Sequence, residues 1–257
     1  MSNLFTICGK EFRQMFSGPL AYVVMTAFLM LTGFFFYDLF SNYSQILGYA
    51  GMYQNPAMMQ QVNVNDMILT PLFHNINIIL LMIIPFLTMR LYSEEKRQGT
   101  DELLLTSPLG MNQIVLGKLL AAVLFYALLL LLTLHFPAIL FKYASPDLGK
   151  LAAGYLGLFL MGCSFLAFGL FTSTMTSSQP IAAASSFGML LIFWILGWVS
   201  ESTPGTIGDL LRYIAMTEHF EKFGEGVVRT GDLVYFVSFI ALFTFLATRS
   251  VESTRWR

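Results

Sequence analysis

From Leu151 to Ser200 the chain runs through fifty residues without one acidic or basic side chain. A helix needs about 20 apolar residues to cross the hydrocarbon core of a bilayer. Fifty are too many for one helix, and the hydroxyl-rich stretch TSTMTSSQP at 172–180 supplies the turn that divides them into two. The rest of the chain has the same character. No charge falls between Arg13 and Asp38, between Asp66 and Arg90, between Lys118 and Lys142, or between Asp232 and Arg249. Only 11% of residues are charged and 56% are hydrophobic, against about 25% charged in a soluble domain. The solvent of this chain is therefore lipid. The spacing predicts an all-α membrane protein with spans at 18–38, 68–90, 119–141, 151–171, 181–200 and 233–248, in a single transmembrane domain covering 1–257.

Six spans put both termini on one side. Lys10, Arg13, Arg90, Lys96, Arg97, Lys118, Arg249, Arg255 and Arg257 fall on that side, and Lys142, Lys150, Arg212, Lys222 and Arg229 on the other. Loop 39–67 carries no basic residue. The excess of Lys and Arg places both termini and residues 91–112 in the cytoplasm, and 39–67, 142–150 and 201–231 outside. Cys8 and Cys163 are read as separate buried thiols. No cleavable signal segment is evident ahead of the first span.

The densest charge lies in EEKRQGTDELLLTSPLG, 94–110. Gly99 suits the left-handed residue that closes a helix. Thr100 reads as the N-cap of a new short helix with Asp101 and Glu102 in its first turn. Leu103, Leu104 and Leu105 then need burial, at the lipid interface or against a protein. Glu94 and Glu95 are expected at the water-exposed end of span two, where replacement costs no more than about 0.5 kcal/mol.

These residues carry a resemblance. PFLTMRLYSEEKRQGTDELLLTSPLGMNQIVLGKLLAAV, 85–123, resembles the signature segment of type-2 ABC transporter permeases, and more narrowly their gliding-motility and copper-enzyme-maturation branch. TSSQPIAAASSFGMLLIFWILGW at 176–198 and the stretch 218–257 are similar to that branch as well. The resemblance implies that a cytoplasmic coupling helix between spans two and three docks on a separate ATPase. It assigns that role to Glu94, Glu95, Lys96, Arg97, Gly99, Thr100, Asp101, Glu102, Leu103 and Leu104. It also implies two ATPase copies binding ATP and Mg, a second permease (identical or related) meeting this one through spans one and five, and export across an inner membrane. An accessory membrane or periplasmic subunit would be compatible with it. Gly33, Gly188 and Gly197 are the small residues expected at the permease–permease contact.

The chain has no Walker A pattern, no HExxH and no CxxC, so no nucleotide or metal chemistry is read in it; cofactors are expected in the partner ATPase alone. A net charge of −1 gives no reason to expect nucleic acid. In span two, Thr70, His74, Asn77, Pro85 and Thr88 share a helical face that should avoid lipid, serving either a substrate path or interhelical packing. Pro85 and the His135-Phe136-Pro137 triplet are expected to kink their helices. In 201–231, Thr206-x-x-Asp209 reads as a capping-box variant opening a short external amphipathic helix before span six, with Ile207, Leu210, Leu211 and Ile214 on one face and Phe220 and Phe223 extending its apolar contact. This helix either lies on the outer interface or dips back among the spans. The composite expectation is a permease subunit, not itself an enzyme, in an ATP-driven exporter. The alternative is a membrane anchor or mechanical scaffold of an ATP-driven envelope machine. An ion-coupled transporter would carry acidic residues mid-span, and none are there.

Overall fold

The computed structural model describes residues 2–52, 63–100 and 110–254. Eleven α-helices occur among them: α1 (Ser2–Ser17), α2 (Pro19–Met52), α3 (Thr70–Thr88), α4 (Ser93–Gln98), α5 (Met111–Thr133), α6 (His135–Tyr143), α7 (Leu148–Met175), α8 (Gln179–Ser202), α9 (Thr206–Ile214), α10 (Met216–Gly224) and α11 (Thr230–Thr254). A π-helical turn, Asn65–Leu69, leads into α3. Six stretches are long and apolar enough to cross a membrane: Pro19–Tyr49, Asn65–Gln98, Met111–Tyr143, Leu148–Met175, Gln179–Ser202 and Thr230–Ser253. No strand occurs among the described residues.

Spans two, three and four form the centre, with 56%, 61% and 67% of their most apolar windows buried, against 28%, 22% and 22% for spans one, five and six. Span four, α7, is the hub, because its glycines let neighbours press onto its backbone. A Cβ at Gly154 would lie 2.1 Å from the Phe73 ring, and one at Gly162 would lie 2.2 Å from the Tyr126 ring. Tyr126 is fully buried and its hydroxyl donates to Leu158 O at 2.5 Å. Between spans four, five and six, the rings of Phe168, Phe193, Phe239 and Phe243 meet edge-on or tilted, with centroids 4.5–6.2 Å apart.

Several expectations are corrected. Span one does not stop at Asp38. Its helix continues to Met52, about 51 Å at 1.5 Å per residue, because a lone charge marks the end of the oil, not the end of a helix. Asp38 accepts from Asn42 one turn on, at 3.3 Å. Span three begins at Met111, so Lys118 lies inside a helix instead of flanking it. Residues 2–17 form a helix of their own, with Cys8 and Glu11 buried and Phe5 exposed. The Thr206 capping box is absent: the N-cap is Gly205 at φ 85°, and Thr206 is the first helical residue. Ile207, Leu210 and Tyr213 on α9 are exposed. It is α10 that dips inward, with Phe220 and Phe223 fully buried.

Other expectations hold. Spans four and five part at residues 176–178, and span three breaks at Leu134, whose N–H turns back to Leu131 O at 3.1 Å. No break occurs at Pro85, which sits within a helix that continues to Thr88.

Candidate coupling site

Four elements converge at the membrane face that carries both termini: α1, α4, the start of α5 and the α7–α8 turn. The six residues of α4 end as the sequence suggests. Gly99 has φ 67°, its N–H points to Lys96 O at 3.4 Å, and the N–H of Thr100 reaches Glu95 O at 3.0 Å. This is the paired closure that a left-handed glycine permits. Thr100 therefore finishes α4; the helix it was expected to cap would begin at Asp101. Asp101, Glu102, Leu103 and Leu104 lie outside the described residues.

Far from being a solvated loop, α4 is bolted to the bundle. The Ser173 hydroxyl of α7 accepts from the N–H groups of Tyr92 and Ser93, both at 3.0 Å, and donates to Met89 O at 3.2 Å. The N–H groups at a helix start have no acceptor within the helix, and here a buried serine provides one. Lys96 Nζ donates to Thr174 O at 2.5 Å, and Gln179 Nε2, at the start of span five, donates to Glu94 Oε2. The other Glu94 oxygen takes Arg97 at 2.8 Å and Gln98 at 2.5 Å. Ser250 near the end of span six reaches the same Thr174 carbonyl, at 3.5 Å. Of the predicted coupling residues, Glu94 and Lys96 are engaged by neighbouring spans, while Arg97 and Gly99 are exposed together with Gln98.

Glu95 departs furthest from expectation. It is not water-exposed: its side chain is 16% accessible, and Oε1 holds Lys118 Nζ at 2.7 Å. Lys118 is 2% accessible and also binds Glu11 Oε1 of α1 at 3.0 Å. The triad joins α1, α4 and span three. Gly117 beside it lets α1 close in, since a Cβ there would meet Ile7 Cγ2 at 2.8 Å. A cleft of about 530 Å³ opens between α1 and α4, with Arg90 and Arg97 on one side, Lys10 and Gln14 on the other, and Lys118 among its lining residues. Glu11 and Lys118 were not legible as partners, because the pair spans 107 positions. The regular apolar spacing of Leu4, Ile7, Phe12 and Met15 was the available signal for α1.

The polar face of span two does point inward. Thr70 Oγ1 donates to Asn65 O at 3.2 Å and to Gly224 O of α10 at 3.3 Å. His74 meets the Phe220 ring edge-on at 5.7 Å. Asn77 is 2% accessible, and its Oδ1 has no hydrogen-bond partner among the described residues. Of the glycines assigned to a permease contact, Gly197 is taken up by Thr217 of α10, 2.2 Å from a Cβ there, and Gly33 faces Phe136 at 3.8 Å. Only Gly188 opens onto free space. On the opposite membrane face, His219 Nδ1 pairs with Asp232 Oδ1 at 2.6 Å while Nε2 faces Tyr213 O at 3.0 Å, tying α9 and α10 to span six. Lys150 pairs with Asp66 at 2.5 Å on that face, tying span four to span two.

Together these contacts define a multi-pass helical bundle with six helices long and apolar enough to span a membrane. Residues 5–250 match the family model described as ABC-2 family transporter protein, and the chain belongs to that family of permeases. It is 31% identical over 131 residues to a probable multidrug ABC transporter permease, YbhR, of Escherichia coli strain K12, covering 50% of this chain and 35% of that protein. It is 34% identical over 108 residues to a probable ABC transporter permease protein, NosY, of Pseudomonas aeruginosa, covering 40% of this chain and 39% of that one. The chain thus spans little more than a third of the length of the relatives it matches.

Proposed function

We propose that this chain is the membrane-spanning half of an ATP-driven exporter, with ATP and Mg²⁺ bound and hydrolysed by a separate ABC ATPase. The terminal face is cytoplasmic and the membrane is the inner one. One ATPase docks on Arg97, Gln98, Gly99 and the segment 101–109, with Leu103 and Leu104 as the buried anchor and the charges as its rim. The assembly holds two ATPase copies and two permeases. The observation that carries this reading is the bolting of α4. Its backbone and side chains are fastened to spans four and five and to Lys118 of span three, so a push on α4 moves span ends, not a loop. Rigid-body movement of those spans switches the cavity between two permeases from one side to the other.

The wide uncovered faces of spans one and five, with Gly188 open, suit the second permease and lipid. Within the polar face of span two, Thr70 and His74 are engaged by α10. Asn77 is enclosed, its Oδ1 unmet among the described residues, and would meet a passing solute once the spans move apart.

Replacing Leu103 and Leu104 together with serine removes the anchor. The expected result is normal membrane insertion with ATPase affinity lowered by about 2 kcal/mol, roughly thirtyfold. Quantitative co-purification at graded ATPase concentrations measures it. Undiminished association, together with full permease-dependent hydrolysis, would remove the docking role from this segment.

A further inference from the structure

We propose that Lys118 is a positioning residue for coupling: a pin at the cleft between α1 and α4 that passes movement of α4 to span three and α1. This deepens the exporter reading and rests on it. Three observations carry it. Lys118 rises from span three and is almost completely enclosed, yet it holds carboxylates from two other elements, Glu11 of α1 at 3.0 Å and Glu95 of α4 at 2.7 Å. Lys118, Glu11 and Glu95 all line the same cleft between α1 and α4. Glu95 Oε2 is enclosed without a hydrogen-bond partner among the described residues, so the site carries more acceptor than its donor satisfies.

A triad chosen for stability alone would not look like this. Enclosed ion pairs are often matched or bettered by apolar residues of the same volume, and an unmet carboxylate oxygen adds cost. The surplus acceptor has a mechanical use. When α4 is displaced from α1, one of the two pairs must lengthen. With two carboxylates on one ammonium, Lys118 keeps a partner whichever side yields, so the cleft changes width without stranding an enclosed cation. Span three follows the carboxylate that stays. The other charges that line the cleft are Lys10, 4.0 Å from Glu11, Glu94 with its partner Arg97, and Arg90.

The test separates positioning from mere structure. Lys118→Met strands two carboxylates and lowers both stability and coupling. The triple variant Glu11→Gln, Lys118→Met, Glu95→Gln leaves no stranded charge, and it recovers wild-type expression and melting temperature. In a purified complex with the ABC ATPase in lipid nanodiscs, permease-dependent ATP hydrolysis stays about tenfold below wild type in the triple variant, through kcat with KM for ATP unchanged. Lys118→Arg, which retains the charge, recovers hydrolysis to within about threefold. If the triple variant hydrolyses ATP as the wild type does, the triad is structural only and the inference is overturned. If the wild-type chain itself neither binds an ABC ATPase nor alters its hydrolysis, the exporter reading falls, and the inference with it.

Discussion

Glu95→Lys is expected to abolish stable folding of the bundle. The substitution sets a second ammonium against Lys118, which is 2% accessible and cannot turn to water, and it leaves Glu11 as the sole counter-charge. Removing one partner of an enclosed pair costs about 3–5 kcal/mol, and placing a like charge there adds to it. A domain's whole margin is about 5–15 kcal/mol. Glu95→Lys should therefore appear as lost membrane accumulation and, in detergent, a collapsed melting transition. Glu95→Gln retains the shape and an acceptor oxygen, and it should lose far less. Reversal at Glu95 without any loss of accumulation would show that Lys118 finds its charge balance elsewhere.

The second large effect is steric. Gly162→Leu pushes a branched side chain into the Tyr126 ring, whose atoms already lie 2.2 Å from where a Cβ would sit. The ring cannot swing aside freely, because its hydroxyl donates to Leu158 O at 2.5 Å in a site sealed from solvent. Overpacking costs about 1–3 kcal/mol, and an orphaned carbonyl or hydroxyl adds about as much again. Spans three and four should separate at lower temperature in a thermal melt of the purified chain. Vacating the ring with Tyr126→Val in the same chain should return part of the loss, since the two changes share one space.

The spans were legible because the penalty for charge in hydrocarbon is large enough to leave its mark as uncharged runs. Gly99 was legible for a similar reason: few residues but glycine accept φ 67° at a helix end. What stayed hidden depended on contacts between distant segments. Lys118, read along the chain, is a charge that ends a span. Only the approach of Glu11 and Glu95 makes it a residue that a helix can enclose. Glu94 and Glu95 looked water-facing because their neighbours are charged, yet Gln179 and Lys118 come from other spans to meet them. Small residues at Gly33, Gly188 and Gly197 suggest a contact between two copies. The chain spends most of its glycine-made space on itself, at Gly154 and Gly162 of span four and at Gly197 against Thr217. The amphipathic α1 is readable in principle from Leu4, Ile7, Phe12 and Met15, but a helix too polar to span leaves no uncharged run in the sequence.

Gln98 is exposed at the end of α4, and Tyr213 is exposed on the opposite membrane face. A photo-crosslinking residue placed at each in turn, in membranes holding the chain with its ABC ATPase, tests the central claim directly. The account predicts a permease–ATPase adduct from position 98 and none from position 213. An adduct from 213, or none from 98 while the two chains co-purify, would contradict both the orientation and the docking role of α4.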